Sequence, residues 1–124
     1  MRKVILAVLL SLGLIAGGAG IAMADSTPNS HHVHVVSVDS YDAVVGWDAI
    51  GSTIPVEIEV WNPTTNVLIE HYGLTTGHST GWTVPIPCYT SDTTLDVKVN
   101  WTINGIDQGW SNPVGFTDYG QGLC

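Results

Sequence analysis

Beyond its third residue this sequence has almost no positive charge. Only three of its 124 residues are Lys or Arg. Arg2 and Lys3 stand at the start, which leaves Lys98 alone in the remainder. Phosphate backbones are gripped by several cations at once, so one lysine argues against nucleic acid as a partner. The same shortage argues against binding to an anionic membrane surface. Cysteine is scarce too: Cys88 and Cys124 are the pair, with no CxxC between them, which argues against a cysteine-ligated zinc site. GxSxG and HExxH are both missing, so two common hydrolytic signatures are excluded. After residue 24 no stretch shows helical apolar spacing, and there is no internal repeat or low-complexity tract.

What is present begins with a secretory pattern. "MRK" is basic, "VILAVLLSLGLIAGGAGIA" is apolar and uncharged, and "AMA" at Ala22–Ala24 offers small residues at the two positions a signal peptidase reads. Residues 1–24 are read as a signal peptide, with Asp25 as the new N-terminus. An uncleaved membrane anchor is the alternative, because the run is nearly long enough to span a bilayer. All eleven acids lie at or beyond Asp25. One lysine against eleven acids leaves the processed chain at −10 with histidine neutral. That charge fits an exported, extracellular protein with no stable membrane association once the leader is removed. Outside the cell an even cysteine count reads first as one disulfide.

Residues 25–30, "DSTPNS", read as a flexible leader. Beyond them, short alternating runs rich in Val, Ile, Thr and Trp are split by Gly, Pro, Asn and Asp. "PVEIEVW" is the cleanest: Val56, Ile58 and Val60 point one way, Glu57, Glu59 and Trp61 the other. "TLDVKVNW" sets Leu95, Val97, Val99 and Trp101 against Asp96, Lys98 and Asn100, and "INGIDQG" carries an Asn-Gly turn. About seven short strands in about ninety residues predict an all-β, seven-stranded antiparallel β-sandwich.

At this point the residues resemble a fibronectin type III domain, an immunoglobulin-like sandwich. "VHVVSVDSYDAVVGWDAI" lines up without a gap on that family's first two strands. Val33, Val35 and Val38 fall where the first strand points inward, and Trp47 falls on the core Trp of the second. "TTLDVKVNW" resembles the sixth strand and "WSNPVGFT" the last. The resemblance covers residues 31–118 and leaves 119–124 as a tail. Leu95 stands where the family usually has a Tyr whose hydroxyl ties the adjacent corner, a bond worth about 1 kcal/mol. The resemblance puts the loop holding Cys88 at the same pole as the C-terminus. A Cys88–Cys124 disulfide would then pin the tail beneath the sandwich.

Three sets of residues could carry function. Glu57, Glu59 and Asp96 are carboxylates on a face with no cleft between them, unlike the facing pair a glycosidase needs, so the chain is read as non-catalytic. His32 and His34 alternate on a strand and could chelate a metal, but the sequence names no third ligand. No cofactor is expected. Trp61, Trp82, Trp110 and Tyr72 are aromatic rings placed to be part-exposed, suited to stacking on sugars or anchoring a protein. The leading expectation is a monomeric, secreted binding module for an extracellular protein or glycan. The alternatives are a hydrolase inhibitor presenting "VPIPCYT", with Pro85 and Pro87 stiffening it, and a His-based metal binder. Asn100 in "NWT" forms a glycosylation sequon, expected to face solvent.

Overall fold

The computed structural model describes residues 26–120. The candidate signal peptide 1–24, the cleavage residue Asp25 and the end of the tail, including Cys124, lie outside the described residues. Among the described residues no helix is long and apolar enough to cross a membrane.

Two antiparallel sheets face each other. Strands β1 (His34–Val38), β2 (Asp42–Gly46) and β5 (Gly81–Pro85) form the smaller, in the order β1-β2-β5. The larger runs β4 (Val67–Leu74), β3 (Val56–Asn62), β6 (Thr93–Ile103), with β7 (Ile106–Asp107) and β8 (Val114–Asp118) both pairing with β6. This is the all-β sandwich anticipated from the strand pattern. The final edge strand is broken into β7 and β8. Gly109 at φ 90° and Pro113, which has no N–H to donate, interrupt the ladder between them. Gln108 N–H to Trp101 O (3.0 Å) and Ser111 N–H to Val99 O (2.8 Å) bridge the gap.

Alternation builds the core. Val56, Ile58 and Val60 from β3 meet Leu95, Val97, Val99 and Trp101 from β6, Val45 from β2 and Val84 from β5, all at most 1% exposed. Each such side chain contributes about 1.5–3 kcal/mol on burial. Trp47 is buried beside Trp101, with ring centroids 5.9 Å apart. In β1 the register shifts between Val35 and Ser37. That bulge lets Val35 and Val38, of opposite parity, both pack on the core while Val36 stands 61% exposed. The β6–β7 hairpin turns on Asn104 and Gly105, with φ of 53° and 78°. Two successive positive φ values make the type I′ geometry that Asn-Gly favours.

Residues 26–31 differ from the expected flexible leader. Ser26 and Pro28 are buried, and Pro28–His31 forms a 3₁₀ turn. The Ser26 carbonyl accepts the Trp101 indole N–H at 2.8 Å. Ser26 Oγ donates to Gln108 Oε1 at 2.7 Å, and Asn29 Oδ1 accepts the N–H of Asn112 at 3.1 Å. His31 meets Trp101 edge-on at 5.3 Å. The segment thus lies against one end of the sandwich and supplies the acceptor for the buried Trp101 indole donor.

Candidate functional site

The outer face of the larger sheet gathers the polar halves of β3 and β6. The register sets Glu59 opposite Lys98, and Trp61 opposite Asp96. The Trp61 indole N–H donates to Glu59 Oε1 at 2.9 Å, and Lys98 Nζ lies 5.2 Å from the ring centroid. A cation at that distance from an indole is attracted by the ring quadrupole, worth about 0.5–1 kcal/mol at an exposed site. Pro63, Asn66 and Pro113 join Trp61, Asp96 and Lys98 around a depression of about 260 Å³. On the neighbouring strand His71 pairs with Glu59 in register, and its Nε2 lies 3.5 Å from Glu57 Oε2. Glu57, Glu59 and Asp96 thus stand on the open face expected of them, with Glu59 committed to the indole.

The four aromatic candidates separate. Trp61 stands in this depression. Tyr72 and Trp82 meet edge-on at 5.1 Å, with His78 6.2 Å from Trp82. Both pack partly against the core, and the Tyr72 hydroxyl donates to Pro85 O at 2.8 Å, linking β4 to β5. Burial first, then the charge of Glu70, raises the Tyr72 phenol above its ordinary range. Their geometry is that of a seal between sheets. Trp110 is 38% exposed in the segment between β7 and β8. Among the described residues no ring contact joins Trp61 or Trp110 to the Tyr72–Trp82 pair.

The histidines are not arranged as two steps of one strand. His32 caps the 3₁₀ turn in the left-handed conformation, φ 52°, and β1 begins only at His34. His32 Nδ1 donates to Asp48 Oδ2 at 2.6 Å, and His34 Nδ1 to the His32 carbonyl at 2.6 Å. The His34 ring lies over Gly46, where any Cβ would come within 3.0 Å of it. Among the described residues no three His, Cys, Asp or Glu side chains are grouped to hold a metal. "VPIPCYT" does not project either: Ile86 is buried with its N–H bonded to Tyr41 O at 2.8 Å, and Tyr89 packs on the core. Asn100 is 1% exposed rather than solvent-facing, and its Nδ2 donates to Asp107 Oδ1 at 3.0 Å. The short β7 folds back beside it, which strand parity does not reveal.

Strand parity places Trp61 outward but does not reveal the company it keeps. Asp96 and Lys98 followed from the β6 pattern once β3 and β6 were neighbours. Pro113 and Asn66 carried no local signal, because only the docking of β8 and the β3–β4 turn brings them to the rim.

No protein-family profile matches the chain, and no curated protein sequence matches it. Its fold does match solved structures. One is described as "Myokine structure", at 19% identity and a TM-score of 0.60 over 73% of this chain and 95% of that one. Another is "Solution Structure of The Third Fibronectin III Domain of Human KIAA0343 Protein", at 18% identity and a TM-score of 0.57 over 88% and 97%. The chain therefore has a fibronectin type III-like fold. At such identities the likeness extends to the fold and no further.

Proposed function

We propose that this chain is a secreted, non-catalytic binding module that recognises an extracellular protein or glycan through the outer face of its larger sheet. The observation that carries the reading is Trp61. A large indole stands outward in a depression walled by two prolines, with a carboxylate, an ammonium and an amide at its rim. An amphipathic ring with polar groups around it is the usual make-up of a binding hot spot. Domains of this fold often serve as extracellular binding modules, and the leader pattern of residues 1–24 and the acidic charge agree with export. Glu59 accepts the Trp61 indole N–H and Glu57 lies beside His71, so two of the three carboxylates of this face are engaged with neighbouring side chains, which supports a binding role over a catalytic one.

Depletion by insoluble polysaccharide (cellulose, chitin and peptidoglycan) tests the glycan arm. Capture of extracellular proteins by the immobilised chain, followed by titration of the purified partner, tests the protein arm. In either arm Trp61→Ala is expected to weaken binding by about 2 kcal/mol or more, with thermal stability nearly unchanged. Binding that survives Trp61→Ala at full strength overturns the placement of the site.

We further propose that Cys88 is bonded to Cys124. Cys88 is not a free thiol. The tail turns in against its loop: a Cβ added at Gly120 would lie 2.4 Å from the Ser91 nitrogen. The residues from Gly120 to Cys124 reach at most about 14 Å when extended, so the tail has the length to return to Cys88.

A further inference from the structure

At the end of the sandwich where β8 finishes, acidic side chains gather, and among the described residues no Lys or Arg stands beside them. Asp118, the last residue of β8, is 1% exposed, and its Oδ2 has no hydrogen-bond partner. The β1–β2 turn brings Asp39 to the same place. Asp39 is fixed there because its Oδ1 accepts the N–H of Tyr41 at 2.8 Å and of Asp42 at 2.9 Å. Asp42 follows in the chain, and Asp92 on the neighbouring loop adds its own field. Burial first, then the charges of Asp39 and Asp92, raises the Asp118 carboxyl above its ordinary range. Val38, Asp39, Ser40, Asp118 and Tyr119 line a depression of about 240 Å³.

A buried carboxylate is costly unless a counter-charge, a proton or a metal ion meets it. Lys98 cannot serve. It lies against Trp61, and Asp118 pairs with Thr93, five residues away along β6. That separation is about 17 Å at strand spacing.

We propose that this depression is a calcium site, in which one Ca²⁺ is held between the Asp118 and Asp39 carboxylates, with Ser40 and water completing its shell. No nitrogen or sulfur side chain lines it, and calcium takes oxygen donors in flexible geometry, whereas magnesium demands near-ideal octahedra. The buried, unpartnered oxygen of Asp118 separates this place from an ordinary solvated acidic patch. Because the described residues supply no group of three acidic or imidazole ligands, the site belongs to the weak class, with Kd on the order of 10⁻⁴–10⁻³ M.

The test is calorimetry on the purified chain stripped with EDTA. At matched ionic strength, millimolar calcium chloride is expected to raise Tm, magnesium chloride to raise it less, and sodium chloride not at all. Asp118→Asn, which removes the uncompensated charge, is expected to match or exceed the stripped wild-type Tm and to lose the calcium response. Should that variant fail to fold, amide chemical-shift changes in the wild type decide: on calcium addition they are expected to centre on Asp39, Ser40, Asp118 and Tyr119. Absence of a calcium response, an equal response to magnesium, an undiminished response in Asp118→Asn or shift changes centred elsewhere overturns the site.

Discussion

Trp101 shows how much one side chain can organise. Its ring fills the core, while its indole N–H leaves the core to reach the Ser26 carbonyl at 2.8 Å. Trp101→Phe keeps an aromatic ring but strands that carbonyl and gives up volume. Urea denaturation is expected to show a loss of about 1–3 kcal/mol, the penalty for a buried polar group left unpaired. A loss of only a few tenths would mean that the N-terminal turn adds nothing to the fold. Asn100 makes the complementary case. Its amide is buried against Asp107, so a glycan at Asn100 is incompatible with this packing. Protein secreted from a glycosylating host is expected to show the unmodified mass, and a folded, fully occupied glycoform would contradict the packing described. Parity told which way Trp101 points. It misplaced Asn100, because the cover over that face comes from β7, across a turn.

At the scale of elements, Tyr72 on β4 donates to Pro85 on β5 and so ties one pair of sheet edges. Tyr72→Phe deletes the hydroxyl and is expected to cost about 0.5–1.5 kcal/mol at neutral pH, read by thermal or urea unfolding. Its pH dependence has a definite sign. The folded-state phenol titrates above its ordinary value of 10.0 because of burial and Glu70. The folded state therefore keeps its proton where the unfolded state has lost it, and stability falls as pH rises above about 10. Wild-type protein is expected to lose stability more steeply than Tyr72→Phe in that range; parallel profiles would remove Tyr72 from the account. The strands themselves were legible in the sequence, since "PVEIEVW" and "TLDVKVNW" became β3 and β6 with the faces their alternation requires. The bulge in β1 and the break between β7 and β8 were not legible as such. Both fall on edge strands, each paired on one side only, where such irregularities are common.

At the scale of the molecule, the proposed Cys88–Cys124 bond closes a loop over the tail and the last strand. Cys88→Ser together with Cys124→Ser is expected to lower the unfolding free energy by about 3–4 kcal/mol in the chain-entropy model, a large share of the 5–15 kcal/mol typical of domains. Denaturation with and without reductant should give the same difference in the wild type. A dimer on a non-reducing gel that collapses on reduction would show that the bond runs between chains. Overall charge acts at this scale as well: with pI near 4.6, copies of the chain repel one another at neutral pH.

The fold class and its two faces follow from local patterns in the chain. Period-two alternation, Gly and Pro at the breaks and the Asn-Gly hairpin are local rules, readable residue by residue. They also place Trp61 outward and Trp47 and Trp101 inward. Which outward residues become neighbours depends instead on how distant segments pack together. Trp61 meets Lys98, Asp96 and Pro113 because β3, β6 and β8 lie side by side; Tyr72 and Trp82 are drawn into a seam between the sheets; His32 is turned off the strand by the 3₁₀ turn before it; and Asp118 meets Asp39 at the end of the sandwich. Each of these meetings joins segments far apart in the chain. Periodicity is a property of one segment, whereas a site is a property of several, and their mutual placement is set by packing.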